Sequence, residues 1–528
     1  MMKSMLVGVF ALASCLAHAQ NETAVLIAHR GGMAEFDENT LAAFQGAYEK
    51  GLRGFETDVR MTRDGELVIL HDDKLDRTCK AKGTVEEKTA AEARQIRTKQ
   101  TDQPLLFLDE LLAYFADKPG VYFEFEMKTS DPKRYPPARL EEYCRKLFKA
   151  VTTRQPKGSV YLFSSFDERT LKVVQRQHPE AGLMLITAQP CTPELVKHAQ
   201  TLGVKGIACT IDGSTRAAVR QAQEAGLAIT GWPGKKPDDY LLGIALGVTH
   251  SCTDVPMAMQ TWKAEHLNGA PGTTQPITLQ GKELPWQIIA HRGGRLEFDE
   301  NTLTAFRGSY EQGLRAFETD IRMARDGTLV VSHDSSLRRI FNSPGTIEQM
   351  TTADLAQART SKRNQPLLFL DEMLDFFAEK PGVMIMFEMK TDPKLYPDAR
   401  LADYCRKLHD AVTAKFPKGS LYTFSSIDQR ALKYFQQHYP ETERQLVCGK
   451  SRLTDSVRTA TALGIRRCGC TLDISTRADV REARKSGMIV TGGTANSYED
   501  YLLGAALGVD NVVSDTPAAI RARQTKAP

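Results

Sequence analysis

Beyond its opening segment the 528-residue chain has no apolar run approaching the roughly 20 residues that a membrane-spanning helix needs. An excess of either charge sign is also missing. Lys and Arg number 69 against 65 Asp and Glu, a net charge of +4 spread along the chain. No basic tail or stripe therefore argues for nucleic acid. No Cys-x-x-Cys pair occurs, which speaks against a zinc site. Of the 10 cysteines, Cys15 falls in the opening segment, and the odd nine that remain argue against a fully paired disulfide framework. Cys144 and Cys405 occupy matching helical segments and are expected as buried thiols. Cys191 with Cys209, and Cys448 with Cys468 or Cys470, are spaced to bridge neighbouring strand ends in an oxidising compartment. What is present is ordinary for a globular protein, with 41% hydrophobic and 25% charged residues.

The opening segment, residues 1–19, reads as an export signal. Lys3 supplies a weak positive start, Met5 to Leu16 is apolar, and Ala17-His18-Ala19 forms a small-residue cleavage site before Gln20. The expected location is periplasmic or secreted. Leu12-Ala13-Ser14-Cys15 resembles a bacterial lipobox, and the alternative it offers is a lipoprotein anchored through Cys15.

The rest of the chain is a duplication. Residues 27–72 and 289–334 share 34 of 46 positions. Landmark residues keep an offset of 262, which becomes 261 after one deletion ("KTSDPK" against "KTDPK"). Units this long are whole domains rather than solenoid repeats. The expected organisation is a first domain over 20–263, a linker over 264–285 carrying "NGAPGTTQP", and a second domain over 286–528. Inside the first copy, eight short apolar runs ("AVLIAH", "GFETDV", "VYFEFEM", "SVYLF", "LMLIT", "KGIAC", "LAIT", "GVTHSC") alternate mainly with amphipathic stretches. That alternation is expected of an α/β fold, two tandem (β/α)₈ barrels, with polar residues gathered where the strands end.

Three stretches carry the chemistry. In "HRGG" the run ends on His29, and Arg30 offers a planar fork suited to phosphate oxygens. The two glycines permit positive φ and close backbone approach. Asn39 or Thr40 can then cap the helix "LAAFQGAYEKG". In "FETDVRMTRDGELVILHD", Glu56 and Asp58 stand two apart on a strand and so share a face. Aimed inward they would repel unless a proton or cation lay between them, and a hard divalent ion meets that need; aimed outward they would merely be solvated. Asp64-Gly65 turns the chain back through "LVIL" to deliver His71. In "VYFEFEMK", Glu126 and Lys128 share a face near the strand's end, and only Glu126, not Glu124, recurs in the second copy. Other histidines, such as His178, His198 and His438, are expected to be solvated. Two imidazoles can divide general base and general acid duties, while a cation with Arg and Lys can hold charge on a pentacoordinate phosphorus. Phosphodiester cleavage is the chemistry this set suits.

"HRGG…ENT", "FETDVRMTRDGELVILHD" and "FEMK" resemble the signature blocks of the glycerophosphodiester phosphodiesterase family, and "FSSFDERTL" and "GVTHSCTD" resemble its later strands. The resemblance implies a metal-dependent barrel that cleaves a small-molecule glycerophosphodiester to glycerol 3-phosphate and an alcohol, using Ca²⁺ or Mg²⁺. It makes His29 and His71 the acid/base pair, Glu56, Asp58 and Glu126 the metal ligands, and Arg30 and Lys128 the phosphate contacts. In the second copy these are His291 and His333; Glu318, Asp320 and Glu388; Arg292 and Lys390. Two departures stand out. Asp37 and Asp299 replace the Pro usual before "ENT", and the seventh strand reads "AITGWPG" or "IVTGGTAN" in place of a Trp-Thr-Val-Asn run. Trp232 is thus a candidate aromatic wall in the first copy, while the second has no large aromatic until Tyr498. Two rival readings are a phospholipase of related architecture, which would want an apolar rim, and a protein that binds phosphodiesters without cleaving them.

Overall fold

A computed structural model describes residues 24–266, 278–279, 282–283, 287–341, 343–449 and 451–526. The expected signal segment with Cys15, and most of the expected linker, lie outside them. The chain divides into two compact units, Met1–Gly269 and Ala270–Pro528.

The first unit contains β1 (Val25–Ala28), β2 (Gly54–Met61), β3 (Leu67–Ile69), β4 (Tyr122–Met127), β5 (Val160–Ser165), β6 (Leu183–Pro190), β7 (Gly206–Thr210), β8 (Ala228–Gly234) and β9 (His250–Thr253). Eight of these run parallel in the order β1-β9-β8-β7-β6-β5-β4-β2, and pairing of β1 with β2 closes the barrel. β3 is the exception, lying antiparallel on β2 with Ile69 opposite Val59. The eight closed strands are the eight apolar runs of the sequence.

Side-chain alternation sorts each strand. Phe55 on β2 and Phe123 and Phe125 on β4 face outward, where rings of Phe44 and Phe115 from the surrounding helices and of Tyr161 on the neighbouring β5 pack on them. Truncating such a buried Phe to Ala costs about 3–5 kcal/mol. Ile27, Tyr122, Leu162, Met184, Ile186, Ala208 and Cys252 fill the interior. Glu56, Asp58 and Glu126 take the inward positions nearer the C-terminal end, and all three are buried.

Residues 67–107, between β2 and β4, build a satellite core of their own around Val68, Leu75, Val85, Ile96 and Phe107. The sequence reading had only its first hairpin. Asp37 explains one departure noted above: its carboxylate accepts from the hydroxyls of Thr98 and Thr101, tying this excursion to the loop after β1.

After a two-stranded hairpin, β10 (Thr278–Leu279) with β11 (Lys282–Glu283), the second unit repeats the plan. Its strands are β12 (Gln287–His291), β13 (Ala316–Met323), β14 (Leu329–Val331), β15 (Leu368–Phe369), β16 (Met384–Met389), β17 (Leu421–Ser426), β18 (Arg444–Leu446), β19 (Arg467–Thr471), β20 (Ile489–Gly493) and β21 (Asn511–Ser514). β12 closes on β13, and β14 and β15 stand antiparallel outside the barrel.

All nine described cysteines are free. The expected bridges are therefore not formed. Burial pushes the Cys144 and Cys405 thiols up to about 12. His198 is exposed, as expected, and bonds Glu168. His178 is not simply solvated: its ring stacks on Phe148 at 3.7 Å.

Candidate active site

The loop after β1 explains the double glycine. Arg30, Gly31 and Gly32 all have positive φ, at 52°, 80° and 103°. A Cβ on Gly31 would lie 2.9 Å from that of Ala43, and one on Gly32 would lie 2.8 Å from Pro256. The turn is therefore tight against the following helix (Leu41–Glu49), which Thr40 caps through the Ala43 amide. Arg30 takes its left-handed conformation without being glycine, a strain that persists only where surrounding structure holds it. Arg292 repeats it at φ 52°. The Arg30 backbone amide donates to Glu56 at 3.1 Å, and the Arg292 amide does the same to Glu318.

Asn39 is not the cap. Its side-chain amide donates to Asp58 at 2.9 Å, as Asn301 does to Asp320.

The three inward carboxylates converge. Oxygens of Glu56, Asp58 and Glu126 lie within 4.8 Å of one another, and those of Glu318, Asp320 and Glu388 do so in the second unit. In each set two buried oxygens have no hydrogen-bond partner: Glu56 Oε1 and Asp58 Oδ1, then Glu318 Oε1 and Asp320 Oδ1. Among the described residues Glu56 Oε1 and Glu318 Oε1 are left unpaired, while Asp58 Oδ1 and Asp320 Oδ1 have only an ion pair with Lys128 or Lys390. Buried anionic oxygens so poorly satisfied are costly, and a hard divalent cation taking oxygen ligands would satisfy them. The donor set fits such an ion.

Electrostatics divide the carboxylates. Burial and the neighbouring Asp58 and Glu126 raise Glu56 well above the usual range. Burial works against Asp58 too, but Lys128, His71 and Arg30 together hold it low. The same split recurs between Glu318 and Asp320. Lys128 lies 2.7 Å from Glu126 and 3.5 Å from Asp58; Lys390 sits 2.7 Å from Glu388 and 3.1 Å from Asp320. Glu124 also points inward, yet it accepts from the hydroxyls of Tyr122 and Thr230 and stays out of the cluster.

The predicted histidines flank this centre, each braced by a carboxylate. His29 Nδ1 meets Asp254 at 2.6 Å, leaving Nε2 toward Glu56 at 3.8 Å. His71 Nδ1 meets Asp72 at 2.7 Å. His291 pairs with Asp515 and His333 with Asp334. A bond at Nδ1 fixes the ring and frees Nε2 for proton transfer. Burial, helped by Lys128 and Arg30, lowers His71 below its ordinary value despite the attraction of Asp58.

Several residues here were missed by the sequence reading. Arg77 bonds Asp72 and forks onto Glu38 with two contacts at 2.7 Å, while Glu38 also holds Arg30 at 3.1 Å. One chain of charges thus runs from His71 to Arg30, and Asp334, Arg339, Glu300 and Arg292 reproduce it. The recurrence of "HD", "ENT" and a matched Arg in both copies was the signal available. Asp254 and Asp515 are a further miss, because nothing near His29 in sequence indicates them.

The mouths differ. Trp232, opposite Thr210 in the first barrel, meets the half-exposed Phe166 edge-on at 6.0 Å. Gly493, opposite Thr471, takes its place in the second, and Tyr498 instead stacks with Tyr501 beneath Arg523.

The sequence profile described as the glycerophosphoryl diester phosphodiesterase family matches residues 29–258 and again 291–519. Relatives include a glycerophosphodiester phosphodiesterase of Bacillus altitudinis, 31% identical over 198 residues, or 36% of this chain and 76% of that one. One from Caldanaerobacter subterraneus subsp. tengcongensis is 33% identical over 168 residues, 31% of this chain and 66% of that one. An uncharacterized Bacillus subtilis protein, YqiK, is 27% identical over 239 residues, covering 44% and 95%. Among solved structures, an Oleispira antarctica phosphodiesterase in complex with the product sn-glycerol-3-phosphate is 23% identical with a TM-score of 0.42, covering 46% of this chain and 98% of its own. With both profile matches falling on the two barrels that carry these centres, the chain belongs to the glycerophosphoryl diester phosphodiesterase family, a family of phosphoric diester hydrolases, and holds two of its domains in tandem.

Proposed function

We propose that each barrel hydrolyses glycerophosphodiesters to glycerol 3-phosphate and an alcohol, with a divalent ion, Ca²⁺ or Mg²⁺, held by Glu56, Asp58 and Glu126 or by Glu318, Asp320 and Glu388. The observation that carries this is the pairing, twice over, of a buried tricarboxylate cluster having orphaned oxygens with two braced imidazoles. When bound, the ion would supply electrostatic stabilisation of charge on the phosphoryl oxygens. Arg30 and Lys128 add to it. Arg30 Nε is buried, 3.4 Å from Asp58 Oδ2 and without a hydrogen bond among the described residues, so a phosphoryl oxygen can take its N–H.

His71, held toward its neutral form, suits the base that takes a proton from water. The complementary duty, delivering a proton to the departing alkoxide, falls to His29 through Nε2. His333 and His291 repeat these roles. The chain from Asp72 through Arg77 and Glu38 to Arg30 orients base and phosphate contact together.

The test is alcohol release from glycerophosphodiesters by the double variant His29→Ala, His291→Ala. Its kcat should fall by roughly 10²–10⁴ with the fold intact by circular dichroism, as loss of a general acid or base does. An unchanged kcat would make these histidines structural and end the proposal.

A further inference from the structure

His29 and His71 are held by unlike means. Asp254, the brace of His29, follows β9, one of the closed strands, so it fixes that ring against the barrel wall. His71 follows β3, outside the closed barrel, and its brace Asp72 is the next residue in the chain. A brace on the same stretch of backbone sets how the ring is turned, not where that backbone stands. The chain through Arg77 and Glu38 reaches His71 only by way of the Asp72 carboxylate. The backbone bond from the Leu70 amide to the Asp58 carbonyl, 2.9 Å, stops one residue short of the base.

Arg60 closes that gap. It stands on β2 two residues beyond Asp58 and is 3% exposed. Its Nε, shared with the Leu70 carbonyl, and its Nη2 donate to the His71 carbonyl at 3.2 and 2.8 Å. Nη2 also donates to Asp73 at 2.7 Å, while Nη1 donates to the buried Glu86 at 2.8 Å. Glu86 accepts in turn from the Tyr135 hydroxyl, which accepts from the Met61 amide. Arg322 repeats the arrangement. Its Nε and Nη2 donate to the His333 carbonyl at 2.9 and 2.6 Å, and its Nη1 to Glu348 at 2.7 Å. Tyr396 again links that carboxylate to a strand amide, here of Met323.

A buried ion pair is weak evidence for stability, because desolvation offsets much of its attraction. Yet both copies keep the Arg, the Glu and the Tyr, although Val85, Glu87 and Lys88 around Glu86 become Ile347, Gln349 and Met350. One strand thus carries two of the three clustered carboxylates and the cation that holds the base. Resting on the reading of His71 and His333 as general bases, we propose that Arg60 and Arg322 are their positioning residues, each fixing the backbone of its base against the carboxylate centre. Proton transfer needs the imidazole within hydrogen-bond reach of the attacking water, and a displacement of about 1 Å costs about a hundredfold in rate.

The test uses the full chain with the second barrel silenced by His291→Ala, His333→Ala and Glu388→Gln. Arg60→Met with Glu86→Gln removes both buried charges and keeps an acceptor for Tyr135. Ethanolamine release from glycerophosphoethanolamine is measured, with circular dichroism to check the fold. The expected kcat is lower by roughly tenfold to a hundredfold, with KM little changed because Arg30 and Lys128 remain. Added to His71→Ala, the same two substitutions should cost nothing further, since Arg60 acts through that imidazole. Should the pair fail to fold, Arg60→Lys carries the test. It keeps the charge against Glu86 but has no fork, and the same loss of kcat is expected. An unchanged kcat, a rise in KM alone, or an equal further loss in the His71→Ala background would overturn the inference. A His71→Ala enzyme with undiminished kcat would instead remove the reading of His71 as base, and this inference with it.

Discussion

Arg295 grips both carboxylate oxygens of Asp515, at 2.6 and 2.8 Å, while the same carboxylate holds Nδ1 of His291 at 2.5 Å. In the first barrel Met33 stands where Arg295 does, and among the described residues the Asp254 side chain bonds His29 alone. Asp515 is accordingly held far below the usual carboxylate range; burial opposes this, but the bonds from His291 and Arg295 prevail. Arg295 therefore fixes the residue that orients the imidazole. Arg295→Met, measured with His29→Ala so that only the second barrel works, is expected to lower kcat roughly tenfold with KM little changed, as loss of an outer partner of a catalytic group does. A rise in KM alone would assign Arg295 to substrate contact.

Metal removal should silence both barrels. Three carboxylates at one place repel unless a cation lies among them, and buried Glu56 Oε1 and Asp58 Oδ1 accept no hydrogen bond among the described residues. Activity is expected to vanish in excess chelator and to return with Ca²⁺ or Mg²⁺. Elemental analysis of the active protein checks the same point independently. Full turnover in chelator, with no ion bound, would contradict the assignment.

The edge-to-face pair of Phe166 and Trp232 presents two aromatic faces at an interplanar angle of 90° at the first mouth. Aromatic faces attract a quaternary ammonium group by about 0.5–2 kcal/mol. Glycerophosphocholine is expected to be preferred over glycerophosphoethanolamine more strongly by the first barrel than by the second, by at most roughly tenfold to thirtyfold in kcat/KM. Single-site enzymes provide the measurement. Identical preferences would remove Trp232 from the substrate's path.

His250 offers a pH test of stability. It is buried against Tyr122 with ring centroids 4.3 Å apart, and its Nδ1 makes no hydrogen bond among the described residues. Burial brings it down to about 3 from an ordinary 6.5. Between those values the unfolded chain binds a proton that the folded barrel refuses. Stability is thus fully present above 6.5 and lost as pH falls toward 3. Going from pH 7.5 to 4.5 should cost about 2–3 kcal/mol from this group. His250→Asn, which copies Asn511 of the second barrel, should lose that much less, read from urea unfolding followed by tryptophan fluorescence.

Export is our further proposal, resting on residues 1–19 alone. The mature protein is expected to begin at Gln20, and mass spectrometry of the N-terminus reads this directly. A diacylglyceryl group on Cys15 would replace a free exported protein with an anchored one.

Much of the centre was legible because it rests on local rules. Strand alternation put Glu56 with Asp58, and Glu126 with Lys128, on one face. Retention at a constant offset separated Glu126 from Glu124 and promoted the four histidines. Whether that face looked into the barrel or out to solvent was another matter. The sequence carried Phe55 and Phe123 on the opposite face, and their packing under Phe44 and Phe115 of the outer layer turned the carboxylates inward.

Tertiary structure alone decided what braces the chemistry. Asp254 reaches His29 across 225 residues because β9 pairs with β1 when the barrel closes. Arg77 finds Glu38 because residues 67–107 fold back on their own apolar cluster. A sequence determines which faces and ends its residues occupy, since those follow from the two-residue period of a strand and the order of elements. Which distant residues then meet depends on closure, and closure is a property of eight strands together.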